Sequence, residues 1–204
     1  GLFAEFAECF DIKADKNKLF STLYQKAMEG DKDCGGMIAC NYYSGEPVTG
    51  LEEGRPMFLR RPDSHLGLAN FMRSHLYASL ATLKIGLDIL LKEEDVKIDS
   101  ITGHGGLFKT KGVGQSILAA AMNAPISVME TAGEGGAWGM ALLAAYMLSK
   151  KDGQSLGDYL DSRVFAERKS ETMEPDPADV AGFETYTKQY QACLAAEKAA
   201  VQAF

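Results

Sequence analysis

The chain has 204 residues, enough for one substantial core or two small domains. With 46% hydrophobic and 24% charged residues its composition is globular, which excludes wholesale disorder and collagen-like repeats. A net charge of −7 repels a phosphate backbone and an anionic leaflet, so neither nucleic acid nor membrane is an expected partner. A small anion could still be held locally by backbone amides.

Residues 1–30 read as two short helical pieces. Leu2, Phe3, Phe6 and Phe10 fall at helical spacing in the first. Asp15 caps the second, which carries Leu19, Leu23 and Met28 and stops at Gly30. After the polar break from Asp31 to Gly36, the apolar run Met37-Ile38-Ala39-Cys40 suits a buried strand. The stretch from Asn41 to Pro62, with its glycines and its Glu46-Pro47, Arg55-Pro56 and Arg61-Pro62 turns, reads as an irregular excursion of the binding-loop kind. Leu68, Phe71, Leu76, Leu80, Leu83, Leu87 and Leu90 then place one apolar stripe along a long helix, which Lys92 to Asp95 end in solvent.

Val96 to Thr102 alternates with period two and predicts a strand running into Gly103-His104-Gly105-Gly106. Val113 to Met122 predicts a helix, and Pro125 to Met129 a second short strand. Thr131 and Glu134 have capping-box spacing and open a helix reaching Leu148. That helix is rich in small residues (Gly135, Gly136, Ala137, Gly139, Ala141, Ala144, Ala145), which predicts close approach of another backbone, because glycine costs a helix about 1 kcal/mol against alanine. A bend at Glu174-Pro175-Asp176-Pro177 precedes a last helix with Phe183, Tyr186, Tyr190 and Leu194. The order is that of an α/β protein.

The uncharged stretch at 135–149 is shorter than the roughly 20 apolar residues a membrane span needs. The chain opens without an initiator Met or a basic n-region, so no signal peptide is expected and a longer parent protein is. Cys9, Cys34, Cys40 and Cys193 form no CxxC pair, and His65, His75 and His104 are scattered, so no metal site is expected. Reduced thiols, and with them a cytoplasmic location, are the expectation.

A strand ending in glycines that feed a helix is the arrangement that brings backbone N–H groups against a phosphate or ribose. The two best-known spellings are absent. Phe108 stands before Lys109-Thr110, against a P-loop, and Phe108 and Trp138 stand where the third glycine of a dinucleotide fingerprint belongs. A tight turn with positive φ and nothing bound therefore stays open as a reading of residues 103–106.

The succession Ile98 to Leu107, an amphipathic helix, Asn123-Ala124-Pro125-Ile126 and then Glu134-Gly135-Gly136-Ala137-Trp138-Gly139-Met140-Ala141 resembles the C-terminal half of the FGGY family of carbohydrate kinases. Asn41 to Glu46, Leu68 through Leu83, and Glu174 to Pro177 with Tyr186 and Tyr190 extend the likeness over about residues 37–190, in the family's order. Gly105-Gly106-Leu107 and Asn123-x-Pro125 align without gaps to ribulokinase-like members, with xylulokinase-like members next.

The resemblance implies an α/β, actin-like (ribonuclease H-like) ATPase fold, with this chain as one lobe of a two-lobe sugar kinase. It divides the chain into a helical lead-in (1–36), a strand and substrate or interface loop (37–64), a nucleotide-binding core (65–150) and a C-terminal helical extension (151–204). It assigns ATP and Mg²⁺ as cofactors. The partners would be a sugar, a ketopentose such as ribulose or xylulose, and the N-terminal lobe of the same protein; homodimerisation stays open. Gly105 and Gly106 take the place against the ribose and α-phosphate, with Leu107, Thr110 and Lys111 beside them. Where the family has Asn or Ser near the adenine, this sequence has Lys109-Thr110-Lys111.

No catalytic base matches within the chain; the family's Asp lies upstream of everything here, so the chain by itself is expected to be inactive. Asp88 reads as lying on a solvated helix face and Asp99 at a strand edge, Glu134 as a cap, His104 as a turn residue and Trp138 as core. A non-catalytic actin-like ATP-binding or assembly module is the alternative.

Overall fold

A computed structural model describes residues 1–129, 135–166 and 170–203. Two helices open the chain, α1 (Leu2–Glu8) and α2 (Lys16–Ala27). The Asp15 carboxylate accepts from the Lys18 N–H at 2.8 Å, so the expected cap forms. β1 (Met37–Cys40) is buried along its whole length and pairs antiparallel with β2 (Met57–Arg60), Ile38 opposite Leu59. The 41–62 segment is therefore not wholly irregular. Its end returns to cover β1, whose backbone groups need partners in the interior.

The long helix is α3 (Leu68–Lys92), 25 residues with Leu76, Tyr77, Leu80 and Ala81 buried. β3 (Ile101–Gly103) begins later than its alternation predicts. Val96 and Ile98 are exposed, and pairing starts only at Ile101, where Ile126 stands opposite. Asp99 accordingly lies on no strand edge. α4 (Val113–Met122) ends on Asn123 in the left-handed region and leads into β4 (Ile126–Met129), parallel to β3. The crossover β3–α4–β4 is the unit that makes this half of the molecule α/β.

α5 (Gly135–Ser149) and the one-turn α6 (Leu156–Tyr159) follow. β5 (Ser170–Met173) then adds antiparallel to β4, Ser127 opposite Thr172, so the C-terminal extension is not purely helical. α7 (Pro177–Ala203) closes the fold. Asp176 accepts from the N–H groups of Ala178 and Asp179 at 2.9 and 3.0 Å, with Pro177 in the first turn.

The core lies where α3, α4 and α7 meet β1: Tyr77, Ile117, Ala120, Phe183, Tyr186 and Tyr190 share it. α5 contributes no buried residue. A Cβ on Gly136 or Gly139 would meet nothing within 4 Å, so at these two positions the close approach expected of this small-residue helix is not made by the described residues. Trp138 is partly exposed rather than core, its ring edge-on to Phe165 at 6.0 Å. The capping box at Thr131 and Glu134 lies outside the described residues.

Candidate functional site

Four glycines around the end of β3 have different physical reasons to be there. Gly103 is buried, and a Cβ on it would come within 2.3 Å of the Phe108 ring, so its absence lets Phe108 fold back on the strand. A Cβ on Gly114 would lie 2.6 Å from the Leu107 carbonyl oxygen, which lets the turn pack under the start of α4. Gly105 has φ 111°, a conformation that L side chains rarely adopt. Gly106 has neither reason: its φ is not positive, and a Cβ on it would meet nothing within 4 Å. What its missing side chain leaves free is the approach to the turn.

Residues Gly106–Lys109 form a single 3-10 turn whose first bond runs from the Phe108 N–H to the Gly105 carbonyl at 3.1 Å. The N–H groups of Gly106 and Leu107 precede that bond and have no acceptor within the turn. Beyond it, a cleft of about 550 Å³ opens at the carboxyl end of β4. Phe108, Thr110, Lys111, Gly112 and Gln115 line one side of it, Val128 and Met129 its floor, and Ser170 and Glu171 the other side. The crevice outside the carboxyl ends of parallel strands is where open α/β sheets take ligands.

Of the five residues singled out from the sequence, Thr110 and Lys111 line this cleft, whereas Gly105 and Gly106 form the open turn just before Phe108 and do not line it. Leu107 is turned the other way and packs against the core. His104 is exposed, and the first residue of α5 lies against it: a Cβ on Gly135 would be 3.0 Å from the His104 Cβ.

Three cleft residues carry no signal in the sequence. Gln115 is buried, and its Nε2 donates to the carbonyls of Ile126 at 2.7 Å and Glu171 at 2.8 Å, tying α4 to both β4 and β5. Ser170 and Glu171 belong to the strand that the sequence does not announce. The Lys111 ammonium reaches Glu171 at 3.2 Å, while its backbone carbonyl accepts from the Gln25 side chain at 3.2 Å. Among the described residues no group of three His, Cys, Asp or Glu converges as a metal site. Among them, too, no helix is long and apolar enough to cross a membrane.

The mixed α/β fold is that of the actin-like sugar kinases. The profile of the FGGY family of carbohydrate kinases, C-terminal domain, matches residues 2–148, and the chain belongs to that family. Among solved structures it is similar to xylulose kinase from Rhodospirillum rubrum, at 18% identity and TM-score 0.61, covering 89% of this chain and 34% of that one. The ligand-bound xylulose kinase from Lactobacillus acidophilus is similar at 19% identity and TM-score 0.64, covering 86% and 35%. Glycerol kinase from Plasmodium falciparum, with ADP, is similar at 16% identity and TM-score 0.58, covering 96% and 36%. The chain thus spans about a third of the length of these kinases. No curated protein sequence matches it.

Proposed function

We propose that the chain is the nucleotide-binding lobe of an ATP-dependent sugar kinase, and that the turn at Gly105 and Gly106 with the cleft beyond it receives ATP and ADP. The observation that carries this reading is Gly106, a glycine that neither backbone conformation nor packing requires, set at the carboxyl end of a parallel strand pair. Its open face and the N–H groups of Gly106 and Leu107, which have no acceptor within the turn, suit a ribose and a phosphate oxygen, and Thr110 and Lys111 line the cleft nearby.

Magnesium bound with the nucleotide would neutralise its phosphates. A carboxylate from the remaining two thirds of the kinase would take the proton of the attacking sugar hydroxyl, and closure of the lobes would exclude water. A ketopentose, xylulose or ribulose, is the proposed sugar. Similarity to xylulose kinases supports it, and similarity to gluconate and glycerol kinases supports the same chemistry on other polyols.

Calorimetric titration of ADP into the kinase that carries this domain tests the site. Gly106→Val should weaken ADP at least about tenfold, or about 1.4 kcal/mol. His104→Ala should change it little, since backbone amides rather than the imidazole hold the anion. Loss of binding in His104→Ala with Gly106→Val unaffected would overturn the assignment. Residues 1–204 by themselves should show no sugar-dependent ATP turnover, because a positioned general base supplies roughly 10²- to 10⁴-fold of rate.

A further inference from the structure

Lys111 is held at two points. Its backbone is fixed by Gln25 of α2, and its ammonium is paired with Glu171 across the mouth of the cleft at 3.2 Å. The Lys111 side chain is 85% exposed and that of Glu171 62%, so the pair lies in solvent and opens at little cost. The Glu171 backbone is held as well. Its carbonyl accepts from the buried Gln115 amide, and its strand is registered on β4, with the Ser127 and Thr172 hydroxyls 2.8 Å apart across it. Both backbones are therefore anchored on opposite sides of the cleft, and the pair between their exposed tips is the part that can open. Residue 171 also lies beyond residues 2–148, the part matched by the family, so this wall of the cleft is supplied by the C-terminal extension.

We infer that Glu171 is an affinity-setting residue of the cleft: its carboxylate competes with an anionic nucleotide for the Lys111 ammonium. This rests on the reading of the cleft as the nucleotide site. A nucleoside diphosphate entering beside Lys111 meets an ammonium already paired and a negative charge next to it. The ligand gains the lysine only by displacing Glu171, and its net interaction is the difference between the two pairings.

The test is a thermodynamic cycle read by ADP titration at low salt, using the kinase that carries this domain. Glu171→Gln keeps the shape and removes the charge at an exposed position. It should tighten ADP about two- to fivefold, the range of an exposed ion pair. Lys111→Met should weaken ADP, and in the Lys111→Met background Glu171→Gln should change affinity by less than about half as much. Unchanged or weaker binding in Glu171→Gln overturns the inference. So does an equal tightening with and without Lys111, since Glu171 would then act by its field alone and not through the lysine. Gly106→Val separates this from failure of the underlying reading. If wild-type protein binds no ADP, or binds it with no sensitivity to Gly106→Val, the cleft is not the nucleotide site and both statements fall.

Discussion

Arg73, a turn and a half into α3, and Asp179, in the first turn of α7, form an ion pair in the interior, with Lys32 closing on the same carboxylate at 2.7 Å. The guanidinium also donates to the Tyr77 hydroxyl at 3.1 and 2.8 Å, and to the carbonyls of Ala27, Met28 and Gly30 at the end of α2. One side chain thus joins three helices and supplies the cation that a helix C-terminus favours.

Arg73→Met should destabilise by up to about 3–5 kcal/mol, because it removes the buried partner of Asp179 and leaves only Lys32 on that carboxylate. Asp179→Leu should cost a similar amount. The double variant should cost clearly less than the two together, since neither buried charge is then left alone. Urea unfolding of the three variants checks this, and strictly additive losses would show that the pair is not coupled.

Gly139→Leu should be tolerated by the 204-residue chain. Nothing lies within 4 Å of a Cβ there, and replacing a helical glycine recovers up to about 1 kcal/mol of propensity. Thermal melts should therefore move slightly upward. A marked loss of stability would mean that α5 packs closely after all, as its small residues suggest.

His75 is half-buried between the Phe58 and Phe71 rings, with its Nδ1 on the Asn41 side chain at 3.2 Å. Burial lowers its pKa below the ordinary 6.5. The unfolded chain consequently takes up a proton first as pH falls. Stability is full above about 6.5 and declines as pH drops from there through the folded pKa. An NMR titration of the His75 ring should give a midpoint below 6.5, and a midpoint at or above 6.5 would reverse the sign.

Cys34 and Cys40 are buried, and burial pushes both thiols up, that of Cys40 to about 12. Cys9 is exposed. Iodoacetamide at pH 8 should alkylate Cys9 in the native protein and reach Cys34 and Cys40 only after unfolding, as read by peptide mass spectrometry. Equal labelling of all three in the native state would contradict the packing of β1.

Elements whose stability is settled locally are legible in this sequence. Met37–Cys40 and Val113–Met122 form where their apolar patterns place them, and Asp15 caps the helix it precedes. The glycine turn is legible for the same reason, because positive φ at Gly105 is a property of one residue. Pairing is different, since a strand exists only where a second strand presents hydrogen-bonding groups. Val96 and Ile98 alternate correctly but face solvent without a partner, whereas Met57–Arg60 and Ser170–Met173 become strands because β1 and β4 have edges to fill. The cleft divides along the same line. Thr110 and Lys111 follow the turn in sequence and could be found from it. Gln115 and Glu171 are 56 residues apart and meet only because α4 packs against the strand pair that β5 completes, which no local spacing records.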